Sequence, residues 1–543
     1  MKRRRSRWCG AGSPAGLRPA LTLSPAGKRV LPLVLAALLL ALPACGPAAP
    51  AESSPQPSGE SAPPQETASP SVSPPPAAEP LALAWDPGGT LNPLEADAVN
   101  LELAPLVFEG LFALDETFQP QNVLCSSCSQ AEDGLSWTFT LRSGVTFSDG
   151  TPLTGEIAAG CLNAARNSGL YRSRLAAVQA VRAGEGSVTV ELSAPCGSLP
   201  TLLDVPVYLL PQEGRPLGTG PYRFAEYKGE LSLEAVPGWW QKKDLPAERI
   251  LLRQALSADD RIAAFDTGTV TLVNTDFTAT DTLGYSADCE TWDYATSSMV
   301  YVGFNLKEGP CAEPALRQAA ARCLDRESIA AQLMAGHADP AALPAHPSSG
   351  SYSSSLAAQL AYSPEEAAKA LAGGGWLPDE EGRLVKDRKP LELRLLVGSE
   401  NPARAALADR LAEELRSLGI TVTVQRLGWA GFLKALERGE FDLYVAQVRL
   451  TPDFDPTELL TGGLNYGGLE DEELSDLLEQ YRAAGGDART RLSYTLYSRL
   501  IRDVPFAPVC FTRGTVLTRW GRLSGLTPVQ GNIFYQMENW VVT

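Results

Sequence analysis

Apolar and polar positions alternate most regularly between residues 391 and 448. Leu391-Glu-Leu-Arg-Leu-Leu-Val397 alternates at its start and continues apolar, the pattern of a strand. Asn401-Pro402 follows, a capping residue ahead of a proline whose missing N–H is harmless at the first helical position. Leu407, Leu411, Leu415 and Leu418 then recur at spacings of four and three, an apolar helical stripe that ends at Gly419. Ile420–Val424 is β-branched strand material, Ala430–Arg438 predicts a second helix closed by Gly439, and Phe441–Val448 predicts a third strand. Strand–helix–strand–helix–strand at this spacing predicts a parallel α/β sheet, which takes its ligands beyond the carboxyl ends of the strands. The loop at that edge is Arg449-Leu-Thr-Pro-Asp453-Phe-Asp455-Pro456, with two carboxylates.

Other segments fill in the picture. Ser363-Pro-Glu-Glu366 is a capping box that starts a short helix. Glu313–Gly336 reads as a further helix, with Leu316, Ala320, Leu324 and Ile329 among its apolar positions. The first half is more β-like: Trp137–Leu141, Val188–Leu192 and Tyr222–Phe224 read as strands, and Ser148-Asp149-Gly150 as a turn. Trp239 and Trp240 read as a packed aromatic pair, and Trp429, at the start of a helix, as core.

The N-terminal pattern is different. Lys2, Arg3, Arg4, Arg5, Arg7, Lys28 and Arg29 precede an apolar run from Val30 to Leu42, followed by Leu42-Pro43-Ala44-Cys45-Gly46. The run is short of the ~20 residues that span a bilayer, so it reads as a secretory signal. A cysteine directly after it resembles a bacterial lipobox, which makes Cys45 the expected lipidation site and mature N-terminus. Residues 46–80 hold eleven prolines and almost nothing to bury. They predict an extended tether with a reach of up to roughly 110 Å at ~3.1 Å per residue.

Composition narrows the function classes. The net charge is −17, and the first 45 residues carry eight Lys/Arg against no acid, so the body is more acidic still. That argues against nucleic acid and against adhesion to anionic headgroups. The body of about 460 residues predicts two or three packed units. Eight body cysteines in an exported chain permit disulfides or free thiols; Cys125-Ser-Ser-Cys128 has redox or zinc-knuckle spacing but no second pair or nearby histidine. His337 and His346 are the only histidines, too few and too isolated for a metal site or a histidine-based triad. No GxSxG, HExxH or phosphate-binding glycine loop occurs. The chain is therefore read as a non-enzyme with no catalytic residues, no cofactor and no metal.

Five ordered segments then carry a resemblance: Leu91-Asn-Pro-Leu94 with Val107-Phe-Glu-Gly-Leu111; Trp137–Leu153; Gly218-Thr-Gly-Pro-Tyr-Arg-Phe224; Phe304-Asn305 with Ala315–Ala319 and Leu324-Asp-Arg-Glu327; and Glu440-Phe-Asp-Leu443 with Asp455-Pro456. From about Glu79 to Thr543 the chain resembles the family-5 extracytoplasmic solute-binding proteins, dipeptide and oligopeptide receptors of ABC importers. The resemblance implies an α/β, two-lobed periplasmic-binding-protein-like fold (type II, cluster C) with an extra small β-rich subdomain in lobe I. Its expected organisation is signal 1–45, tether 46–80, lobe I 81–300 with the subdomain at about 106–210, lobe II 301–509, and a return to lobe I over 510–543.

The function it implies is a monomeric receptor, anchored outside the membrane by Cys45, that delivers peptide to ABC permease subunits. Asp453 is the expected partner of the peptide amine, worth on the order of 4 kcal/mol at ~4 Å before desolvation. Arg449 is a candidate for a ligand carboxylate, because a guanidinium is a planar bidentate donor. Asp455, Asn305 and Tyr301 complete the expected ligand-binding set; Asp455 also reads as a loop cap, and Asn305 and Tyr301 as hinge residues. The chain departs from the family in having Val448-Arg449 where a tryptophan is often found, a short stretch between Leu153 and Gly218, and the CxxC segment before Trp137. Other readings are a peptide-sensing lipoprotein without transport, a receptor for a nickel complex, opine or sugar, and a thiol-active exported protein.

Overall fold

The computed structural model describes residues 80–279 and 284–543, all within one unit, Pro75–Thr543. The expectations for the signal segment, Cys45 and the tether up to residue 79 lie outside the described residues.

The α/β run forms as its pattern predicts. Strands Glu392–Gly398, Thr421–Leu427 and Leu443–Arg449 are connected by helices Pro402–Ser417 and Trp429–Glu437. The first strand is parallel to both others. Asn401 caps the first helix by accepting from the Arg404 N–H, and Gly419 ends it at a φ of 87° that L side chains avoid. Leu407, Leu411 and Leu415 are its buried stripe.

Ser298–Phe304 joins antiparallel to Leu443–Arg449, then Phe506–Thr512 and Ala338–Pro340 complete a six-stranded mixed sheet. This sheet anchors one large core, the second lobe. Beside a small cluster of Phe265, Val270, Val273 and Leu517, the first lobe has two larger cores. One lies under the antiparallel sheet Cys125–Gln130, Ser136–Leu141, Ser187–Leu192, Val178–Gly184, which packs on helix Gly155–Ala165. The other underlies Ala82–Trp85, Arg249–Gln254, Glu230–Ala235 and Tyr222–Tyr227, with the C-terminal Ile533–Trp540 against it.

Two strands run from one lobe into the other. Cys289–Tyr294 belongs to a three-stranded sheet of the first lobe and continues through Ala295–Ser297 into Ser298–Phe304. Phe506–Thr512 returns through Arg513 into Gly514–Arg519 of that same three-stranded sheet. The Thr296 hydroxyl donates to the Thr512 carbonyl at 2.5 Å, so the two crossings are tied side by side.

Two expectations need correction. Glu313–Gly336 is not one helix: Pro314–Arg322 ends, and a new turn starts at Arg326–Ser328 and runs into Ile329–Leu333. Asp325 caps that turn through the Ser328 N–H, and the Arg326 guanidinium reaches the Pro508 and Leu360 carbonyls. A buried cation with those partners dictates the break. Trp429 is not core but 60% exposed; at the first position of its helix it stacks on Phe432 at 6.1 Å and leaves its other face to solvent. The eight body cysteines are free thiols. Burial pushes the Cys125 thiol up to about 11, and raises Cys128 too, so neither is a ready nucleophile.

Candidate functional site

A cavity of about 1320 Å³ lies between the lobes. Its first-lobe wall comes from helices Ala98–Glu102 and Ala104–Val107, from Tyr171 and Arg174, from the Trp239–Lys243 turn and from Gln530–Glu538; Arg449–Pro452 is the second lobe's share. Asp97 caps the first helix through the Asn100 N–H at 2.9 Å, and the Asn100 side chain ties that turn to Asp86 and Thr90. Pro105 opens the second helix. Local capping therefore presents Glu102, Phe108 and Glu109 to the cavity.

Glu109 accepts from the Thr219 hydroxyl at 2.7 Å, the Trp240 indole at 2.8 Å and the Gln241 amide at 2.6 Å. Burial nevertheless outweighs these donors and Lys243, and raises its carboxyl to about 7. Trp240 is thereby held as a wall, edge-on to Trp239 at 6.4 Å and under the Arg142 guanidinium at 5.6 Å. Glu102 is also raised to about 7 by burial, against the opposing pull of Arg261 and an Asn274 hydrogen bond. Arg174 pairs with Asp204 at 2.6 Å and Lys243 with Glu538 at 2.6 Å, whereas Arg142 donates to the Val123 carbonyl at 2.9 Å and has no ion pair among the described residues. The Arg449 guanidinium has neither an ion pair nor a hydrogen bond among the described residues.

Of the five expected ligand residues, only Arg449 faces this cavity. Asp453, just before the turn at Phe454, φ 55°, does not line it. The Asp453 carboxylate accepts from the Ser198 hydroxyl at 2.6 Å and from Arg489 at 3.0 Å, with side-chain exposures of 13% and 7% for the arginine and the acid. Arg489 in turn lies over the Tyr481 ring at 4.0 Å. Here Asp453 joins the lobes through Oδ2, while its Oδ1 is buried with no hydrogen-bond partner among the described residues. Asp455 caps the next turn through the Thr457 N–H at 3.0 Å. Asn305 holds the Gly439 and Phe441 carbonyls and caps the Lys307 N–H, at the end of its strand remote from the crossings. Tyr301 is buried in the second-lobe core between Tyr444 and Phe506.

The lobes touch around the cavity. The Gly197 N–H donates to the Arg482 carbonyl at 2.8 Å, and a Cβ on Gly197 would meet the Ala484 carbonyl at 2.1 Å. Asn401 donates to the Thr278 carbonyl at 2.7 Å. Phe118, on the first-lobe hairpin Phe112–Leu114/Pro120–Asn122, is buried in the second lobe's core beside Phe454 at 4.9 Å and His346 at 5.6 Å.

Two lobes joined by two adjacent strands, in contact around a deep shared cavity, define the class: a two-lobed binding protein. The particular family follows from residues 119–467, which match the bacterial extracellular solute-binding proteins, family 5 Middle, and the chain belongs to that family. It is 23% identical over 443 residues to the oligopeptide-binding protein AppA of Bacillus subtilis, covering 76% of this chain and 81% of AppA. The structure of Bacillus subtilis AppA in complex with a nonapeptide has a TM-score of 0.57 at 22% identity, covering 86% of this chain and 100% of that one. A nickel ABC transporter structure from Bacillus halodurans has a TM-score of 0.70 at 18% identity, covering 84% and 98%. These relatives are binding proteins and not enzymes, and the chain is a binding protein with them.

Proposed function

We propose that the chain is a lipid-anchored receptor that closes its two lobes over a short peptide and presents it to the permease of an ABC importer. The hinge is Ala295–Ser297 together with Thr512–Gly514; residues before the first crossing and after the second form lobe I. The observation that carries the reading is the interlobe cavity. At about 1320 Å³ it exceeds the ~300–1,000 Å³ of ordinary small-molecule pockets and suits a peptide. Its wall mixes aromatic faces with charges that are partly paired internally, which fits a guest bound through its shape and its ends. The AppA likeness supports a peptide and the nickel-transporter likeness a smaller guest; the cavity's size favours the peptide. Cys45 supplies the anchor and residues 46–80 the tether.

Native mass spectrometry of the protein as purified, followed by titration calorimetry with the released species, tests this. Peptides carried out of the cell and rebound intact are the expected result. A purified chain that carries and binds only metal complexes or sugars rejects the peptide assignment.

A further inference from the structure

Beside the main cavity, and sharing Asn274, Tyr294 and Arg449 with it, lies a smaller polar pocket of about 280 Å³. We infer that this pocket is an oxyanion subsite, in which Arg449 of lobe II and Arg261 of lobe I together hold a carboxylate or phosphoryl group carried by the ligand. The inference rests on the interlobe reading above and specifies which end of the guest is recognised and how.

Three guanidiniums line this one small space, Arg261, Arg449 and Arg513. Arg513, in the second crossing, is committed to Asp339 through two nitrogens. The guanidiniums of Arg261 and Arg449 make no hydrogen bond or ion pair among the described residues, and the two residues belong to different lobes. Two guanidiniums with no ion pair among the described residues line one polar pocket and repel each other, and a bound oxyanion offsets that repulsion. The pocket's own carboxylate, Asp276, is held by the Thr278 N–H at 2.8 Å and hydroxyl at 2.6 Å and makes no ion pair with either guanidinium among the described residues. Glu102 borders the main cavity and is raised toward neutrality by burial, so it is a weak competitor. Tyr294 donates to Asn274 at 2.9 Å and fixes the wall between the two spaces.

The position also links binding to closure. Arg261 belongs to helix Ala258–Asp266 of lobe I, whereas Arg449 ends the strand beside Ser298–Phe304 of lobe II. An anion held by both is complete only when the lobes meet. The recognition polarity then differs from an amine-first receptor: this chain grips the acidic end of its guest, which agrees with Asp453 being committed to its pair with Arg489.

The test uses the whole chain with two sets of probes. Orthophosphate at constant ionic strength, read by thermal shift, is predicted to stabilise wild type more than Arg449→Gln or Arg261→Gln. Salt exclusion is common to all three proteins, so only the subsite contributes to the difference. Tetra-alanine and its C-terminal amide are the second set, read by calorimetry. The free acid binding at least about tenfold tighter than the amide, with the preference lost in Arg449→Gln, assigns the subsite to a carboxylate. A phosphate difference without an acid preference assigns it to a phosphoryl group. Equal phosphate responses in all three proteins, with no preference between acid and amide, overturn the inference. A chain that binds neither tetra-alanine form but shows the phosphate difference keeps the subsite and removes the peptide reading, so the two failures are separable.

Discussion

Glu109 shows how environment outweighs hydrogen bonding at a single residue. Three donors reach its carboxylate, yet burial raises it from an ordinary 4.5 to about 7. Between those pH values the folded chain holds a proton that the unfolded chain has released. The residue's contribution to stability therefore falls as pH rises through that window, and is flat on either side. Glu109→Gln removes the effect, so the variant's melting temperature should gain on wild type's across the window; a constant difference contradicts this. Asp453 makes the opposite point. Its partner Arg489 is buried, so Asp453→Ala leaves a charge uncompensated and should cost about 3 kcal/mol in urea unfolding. A loss below about 1 kcal/mol would show that the pair is not structural. The sequence revealed two acids near a binding edge but not where they point. Ser198 and an arginine 36 positions away take up Asp453, and neither carries a local signal.

At the scale of elements, periodic segments with explicit ends were legible and segments governed by distant partners were not. Asn401, Pro402 and Gly419 mark helix Pro402–Ser417 to within a residue. Glu313–Gly336 has the right apolar spacing but breaks at Asp325, because Arg326 finds its carbonyls on strand Phe506–Thr512 and at Leu360. The hairpin that carries Phe118 and the loop that carries Gly197 hold the lobes together, and both are ordinary in sequence. Fully burying a phenylalanine is worth about 1.5–3 kcal/mol, more than a single neutral interlobe hydrogen bond at about 1. Phe118→Ala should therefore weaken ligand affinity about tenfold or more while the lobes stay folded, by favouring the open state. Calorimetry checks the affinity, and circular dichroism checks the fold. Gly197→Val should act in the same direction, since its Cβ would meet the Ala484 backbone within 2.2 Å. Unchanged affinity in both variants removes these contacts from any role in closure.

At the scale of the molecule, the two-lobed α/β architecture follows from ordered motifs that span nearly the whole body, and family membership from residues 119–467. The cleft was far less legible. Its walls come from Glu102–Glu109, Tyr171–Arg174, Trp239–Lys243, Arg449–Pro452 and Gln530–Glu538, brought together only by the tertiary fold. The contacts that shut it are dispersed: Asp453 on the Ser198 hydroxyl, the Gly197 and Asn401 hydrogen bonds, Ser348 on the Glu116 carbonyl, His337 against Asp293 and Phe277, and the Phe118 peg. Each is worth about 1–3 kcal/mol, so a guest that contacts both lobes adds to them and shifts the balance toward closure. Small-angle scattering of the chain stripped of guest, before and after its co-purified ligand is returned, tests this account most directly. It predicts a radius of gyration that contracts on binding, with the ligand recovered unaltered. Superimposable profiles in the two states, or ligand converted to product, would contradict it.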